Sequence, residues 1–144
     1  MRSLYCSTAW SEKLAPRSKW DNITDWRNVD FEDATSLNEC FADSKTTLTL
    51  ADNFKMEHVT DLREFMAGCN VLTGLPSIHG TTQVTNCNTA FFGCTLASSG
   101  IIDMYNKLSG QSTPPSDTFW AFHDCGSGTA AGQAELAQIP DAWK

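Results

Sequence analysis

The sequence has no apolar run of about 18 residues, so no segment reads as a membrane-spanning helix. It is short of basic side chains. Ten Lys and Arg face 17 Asp and Glu, a net charge of −7, which argues against nucleic-acid binding by the body of the chain. No C-x-x-C or H-x-x-x-H spacing exists, and His58, His79 and His123 are scattered, which removes the usual grounds for zinc. The acidic group Asp21, Asp25, Asp30, Glu32 and Asp33 lacks the D-x-D-x-D-G loop of a calcium site. P-loop, dinucleotide fingerprint and nucleophile elbow are all missing. The segment GSGTAAGQ from Gly126 has glycines but neither the lysine nor the following Ser/Thr of a phosphate loop. The opening MRSLYCSTAW has an arginine but no apolar stretch behind it, so a cleaved secretion signal is not expected. These absences lead to one expectation: a non-enzymatic protein without cofactor or metal.

What the chain does have is a repeat. VTDLREFMAGC from Val59 and VTNCNTAFFGC from Val84 lie 25 residues apart. ATSLNECFADS from Ala34 and PSDTFWAFHDC from Pro115 align with them without gaps. The apolar columns are Leu37, Leu62, Cys87, Thr118; then Cys40, Phe65, Ala90, Ala121; then Phe41, Met66, Phe91, Phe122; then Ser44, Cys69, Cys94, Cys125. They fall at i, i+3, i+4 and i+7, which predicts an amphipathic helix in each unit. Ser36, Asp61, Asn86 and Asp117 stand just before the stripe as N-caps, and Glu39 and Glu64 complete two capping boxes. Short extended segments follow, with Leu72, Leu75 and Ile78 as apolar points in one and TTLTLADNF alternating in another. Leu136-Ala-Gln-Ile139-Pro140 matches Leu72-Thr-Gly-Leu75-Pro76, and Pro76 and Pro140 should end their strands. The third unit predicts a second helix bearing Ile101, Met104, Tyr105 and Leu108. In the fourth, GSGTAAGQ reads as an insertion at a turn.

V-T-x-(L/C)-x-x-x-F-x-x-C followed by L-T-x-L-P-x-I resembles the bacterial surface-antigen (BspA-like) type of leucine-rich repeat. The resemblance covers residues 34–94 well, 115–144 with an insertion and 1–33 poorly. It implies an α/β fold, a short leucine-rich-repeat solenoid of stacked helix–strand units starting near 34, 59, 84 and 115. Residues 1–33 are then an N-terminal cap or docking arm, and 34–144 the array. In such an array each unit buries its apolar face on the next. Outward candidates for a binding face are Thr47, Thr49, Thr73, Ser77 and His79. Trp10, Trp20 and Trp26 are candidate anchors in an arm whose first 20 residues carry +3, against −10 for the rest.

Six cysteines raise the question of disulfides. Cys87 and Cys94, seven residues apart on one predicted helix, would be about 10 Å apart, too far to bridge. Free core thiols are expected. The resemblance extends to structural proteins of tailed phages, and the short array without a secretion signal implies a virion component working through protein–protein contacts. The alternative is a bacterial cell-surface adhesin module that binds a host protein or glycan. Both call for a protein or host-surface partner, self-association included, without nucleic acid or membrane insertion.

Overall fold

The computed structural model describes Arg27, residues 34–44 and residues 56–144. The arm with Trp10, Trp20 and Trp26 lies outside the described residues, as do Thr47 and Thr49. The four units stack in the expected register, through parallel bridges Ser36 to Asp61, Asp61 to Asn86 and Asn86 to Asp117. What forms within each unit is different. The expected helix–strand units of a leucine-rich-repeat solenoid are absent: the described residues contain two short α-helices, neither at the start of a repeat unit, one 3-10 turn and no strand.

Each predicted first helix is a strip of consecutive turns. Glu39, Glu64, Thr89 and Trp120 have φ of 53–57°, and Asp43, Gly68, Gly93 and Asp124, four residues on, have φ of 57–75°. A right-handed helix admits no such residue. The hydrogen bonds explain the choice. Cys40, Phe65, Ala90 and Ala121 donate three residues back to Leu37, Leu62, Cys87 and Thr118, closing a four-residue turn whose third member has the positive φ. The amides between them leave the strip. Leu37 donates to Asp61 O, Glu39 to Arg63 O, Phe41 to Phe65 O and Asp43 to Ala67 O, and the next strips repeat the pattern. In the first three strips the amides thus alternate between a local bond and a bond to the neighbouring strip. Two successive four-residue turns also turn positions i, i+3, i+4 and i+7 inward. Leu37, Cys40, Phe41 and Ser44 are all buried, so apolar spacing alone does not separate this strip from a helix.

The capping boxes are corrected with the helices. Ser36 Oγ, Asp61 Oδ1 and Asn86 Oδ1 accept from the amides two residues on, at 3.2, 2.9 and 2.9 Å. These side chains open a turn, and the same types that cap helices do so for the same reason: a short side-chain oxygen reaches a nearby amide. Glu39 and Glu64, in left-handed backbone, are turn residues.

The return limb after Cys69 does not alternate either. Cys69, Leu72, Leu75, Ile78, Thr81, Val84 and Cys87 are buried, every third residue without a break. Leu75 N–H bonds Ser99 O and Ser98 N–H bonds Thr73 O in the next unit. Pro76 does not end a strand here; it is half-buried inside the three-residue pattern. In the third unit α1 (Ile101–Ser109) does form as predicted, burying Ile101, Met104 and Leu108. The expected turn insertion in the fourth unit is instead a helix, α2 (Ala130–Leu136), whose N-cap Thr129 accepts from Gly132 N–H at 2.9 Å. Glu135 Oε1 of α2 accepts from Ile102 N–H at 3.1 Å, supplying the start of α1 with the carboxylate that Gly100 lacks. The IPDAW tail is no strand. It folds as a 3-10 turn, Asp141–Trp143, whose Trp143 O accepts from Phe122 N–H and whose Ala142 O accepts from Thr118 Oγ1.

The core is continuous through the stack. Phe41, Phe65, Phe91 and Phe122 follow one another at 5.6, 6.2 and 5.4 Å between ring centres, and Trp143 lies 6.2 Å from Phe122. Cys69, Cys87, Cys94 and Cys125 are buried free thiols, while Cys40 is disulfide-bonded. Cys69 Sγ donates to Phe41 O at 2.8 Å and Cys94 Sγ to Met66 O at 3.1 Å, so these thiols also hold adjacent strips together. Burial, then the Asp117 charge, pushes the Cys87 thiol from 9.0 up to about 12. The hydrogen bond with Cys125, then burial, raises Cys94 well above the ordinary thiol range.

These thiols should behave accordingly. Denaturation without reductant followed by alkylation should add four labels, and native protein at about pH 8 should leave Cys87 and Cys94 unlabelled. Recovery of two or three disulfides would contradict the assignment. The Cys87 proton is held in the folded state and released more readily in the unfolded one. Its contribution to stability is therefore intact below pH 9.0 and is lost as pH rises toward about 12.

Candidate binding surface

The positions beside the inward stripe form columns just as regular, buried at Asn38 and Ala42 in the first strip and more open further along. In one, Asn38, Arg63 and Asn88 are followed by Phe119; in the next, Glu39, Glu64 and Thr89 are followed by Trp120. A third runs Ala42, Ala67, Phe92, His123. The polar and small residues of the first units thus give way to four rings at the C-terminal end of the stack. The repeat spacing brings Phe92 to the three rings of the fourth strip. Trp120 lies 4.8 Å from Phe119, 4.3 Å from His123 and 5.8 Å from Phe92, measured between ring centres, and Phe92 lies 5.4 Å from His123. All these pairs are within 19° of parallel.

This ledge faces solvent. Phe119 is 60% exposed and Trp120 40%; Leu96 is the other exposed large apolar side chain among the described residues. Asn88 fixes one edge, its Oδ1 accepting from Phe119 N–H at 2.9 Å across the strips. His123 Nε2 lies 3.6 Å from Asp124 Oδ2. Exposure is costly for rings of this size, because each can remove about 150–250 Å² from water when covered. Trp120 carries a second cost. Its φ of 53° is left-handed backbone, where an L side chain loses about 1–2 kcal/mol. The fold demands positive φ at that column, but nothing in the fold demands tryptophan there.

The residues expected to form a binding face are only partly brought together. Thr73, Ser77 and His79 are exposed, on the three-residue pattern of the return limb. Ser77 Oγ accepts from Lys107 Nζ at 2.9 Å, and that ammonium also meets Asp103 at 3.1 Å. His79 borders an open depression of about 350 Å³ with Thr81, Asn106, Lys107 and Gln111. Gln111 closes its floor by donating to Val84 O and Thr113 O. The depression is shallow, and its one cation is already engaged.

Among the described residues no cluster of three or more His, Cys, Asp or Glu side chains is placed to hold a metal ion, and no helix is long and apolar enough to cross a membrane. Cys87, held protonated by burial, and Cys94, held so by its hydrogen bond with Cys125 and then by burial, make poor nucleophiles. The aromatic ledge was legible in the sequence through its columns, since Phe119-Trp120 replaces polar pairs in every earlier unit. Reading those columns as the far side of a helix hid it. No family model, no curated protein and no solved structure matches the chain.

Proposed function

We propose that this chain is a non-enzymatic contact module of a larger protein assembly, docking through the ledge of Phe92, Phe119, Trp120 and His123. One observation carries the reading. Two large rings, 60% and 40% exposed, stand in columns that are polar in the preceding units, one of them on left-handed backbone. Exposed aromatics of this kind are the side chains that dominate protein–protein contacts once desolvated. The resemblance of the repeats to those of tailed-phage structural proteins supplies the setting, a virion. A cell-surface adhesin module is the second reading. The near-parallel rings favour it to the extent that flat apolar faces also suit a sugar ring.

The test uses purified particles. The chain should be found in them by mass spectrometry. Phe119→Ser combined with Trp120→Ser should lower its occupancy about tenfold or more, with the melting temperature unchanged. Unchanged occupancy would overturn the assembly reading, and binding to host cells that depends on the same two rings would support the adhesin instead.

A further inference from the structure

The charge around the ledge narrows the chemistry of its partner. Between Lys107 and Lys144 the chain has Asp117, Asp124, Glu135 and Asp141 and no lysine or arginine. Asp117 stands two residues before Phe119, Asp124 follows His123 directly, and both are exposed. Lys144, at the far end of this stretch, is turned to Asp141 Oδ1 at 3.8 Å and Leu136 O at 3.1 Å. The ledge therefore combines exposed aromatic side chains with carboxylates whose nearest charged-type neighbour in the strip is His123, 3.6 Å from Asp124, with no lysine or arginine among them.

We infer that the ledge receives an arginine-bearing segment of a partner protein, a guanidinium packed on the exposed Phe119 and Trp120 side chains and paired with Asp124 or Asp117. This rests on the ledge being the docking surface. Arginine fits better than lysine for a physical reason. Its planar, weakly hydrated guanidinium stacks on a ring and still offers its edge N–H groups to a carboxylate, whereas an ammonium keeps its water. A carboxylate-rich partner would meet repulsion from the same two aspartates and from a chain of net charge −7. Trp120 and Asp124 are neighbours through His123, whose ring lies 4.3 Å from the Trp120 ring and whose Nε2 lies 3.6 Å from Asp124 Oδ2.

The 144-residue chain is titrated with a fluorescent peptide carrying three arginines, with the same peptide carrying lysines, and with neutral oligosaccharides. The arginine peptide should bind more tightly than the lysine one. Trp120→Ala should weaken it by about tenfold and Trp120→Phe much less. Asp124→Asn, isosteric and tolerant of left-handed backbone, should weaken it as well and flatten its salt dependence. Thermal melts of each variant confirm the fold. Equal binding of both peptides, unaffected by Trp120→Ala, would show attraction to net charge only and overturn the inference. Trp120-dependent binding of an oligosaccharide without arginine binding would overturn it in favour of a glycan. Loss of arginine preference while particle occupancy still depends on the ledge would remove this inference and leave the assembly reading standing.

Discussion

Truncating Phe91 to alanine should destabilise the protein by about 3–5 kcal/mol, among the largest costs of any single side-chain truncation here. The ring is fully buried and is shared between units, 6.2 Å from Phe65 on one side and 5.4 Å from Phe122 on the other. Its own amide donates to Ala121 O and its carbonyl accepts from Cys94 N–H, so the backbone around the cavity is pinned and cannot collapse into it. The neighbouring strips lose contact with each other as well as with the ring. Asp61→Ala is the matched control, because it removes one side-chain bond to Arg63 N–H and should cost only about 1 kcal/mol. Urea denaturation of both variants checks the difference. Equal costs would mean that the inward and outward faces of the strip are misassigned.

Gly132→Ala should be at least as damaging, although it adds only one methyl. Gly132 sits in α2 against the loop before it. A Cβ there would collide with Ala97 O, Gly126 O and Gly126 Cα, all backbone atoms. A flexible side chain could give way; carbonyls that are themselves packed cannot. Ordinary overpacking costs about 1–3 kcal/mol, and contacts this close with main chain should exceed that range. The damage should spread. Displacing α2 withdraws Glu135 Oε1 from Ile102 N–H and so unsettles the start of α1. Gly93→Ala separates this effect from backbone conformation. Its φ is 73°, but the nearest atom to an added Cβ is 3.7 Å away, so it should lose only about 1 kcal/mol to the left-handed backbone. If Gly132→Ala melts no lower than Gly93→Ala, the close approach of α2 is wrong.

Much of this molecule is written in short-range sequence. The 25-residue period, the inward columns from Leu37 to Cys125 and the polar residue opening each strip at Ser36, Asp61 and Asn86 all reappear in the structure in register. So does α1, whose stripe of Ile101, Met104 and Leu108 was unambiguous. A period and a pattern of burial follow from which side chains avoid water, and that preference belongs to each residue alone. What a residue's own preferences do not contain is where the backbone amides go. An isolated strip of three turns gains little by closing helical bonds, because nucleation is costly. Placed between two copies of itself, it satisfies half its amides across the stack, and positive φ at Glu64, Gly68, Thr89 and Gly93 becomes affordable. The glycines at 68 and 93 hinted at that conformation, but Asp43 and Asp124 in the same column did not. The partner strip, 25 or 31 residues away, is the deciding element, and its carbonyls enter only with the tertiary structure. The same cause made the ledge. Phe92, Phe119, Trp120 and His123 are ordinary surface residues on predicted helices; the turns of the fourth strip set Phe119, Trp120 and His123 beside one another, and strip-on-strip stacking adds Phe92.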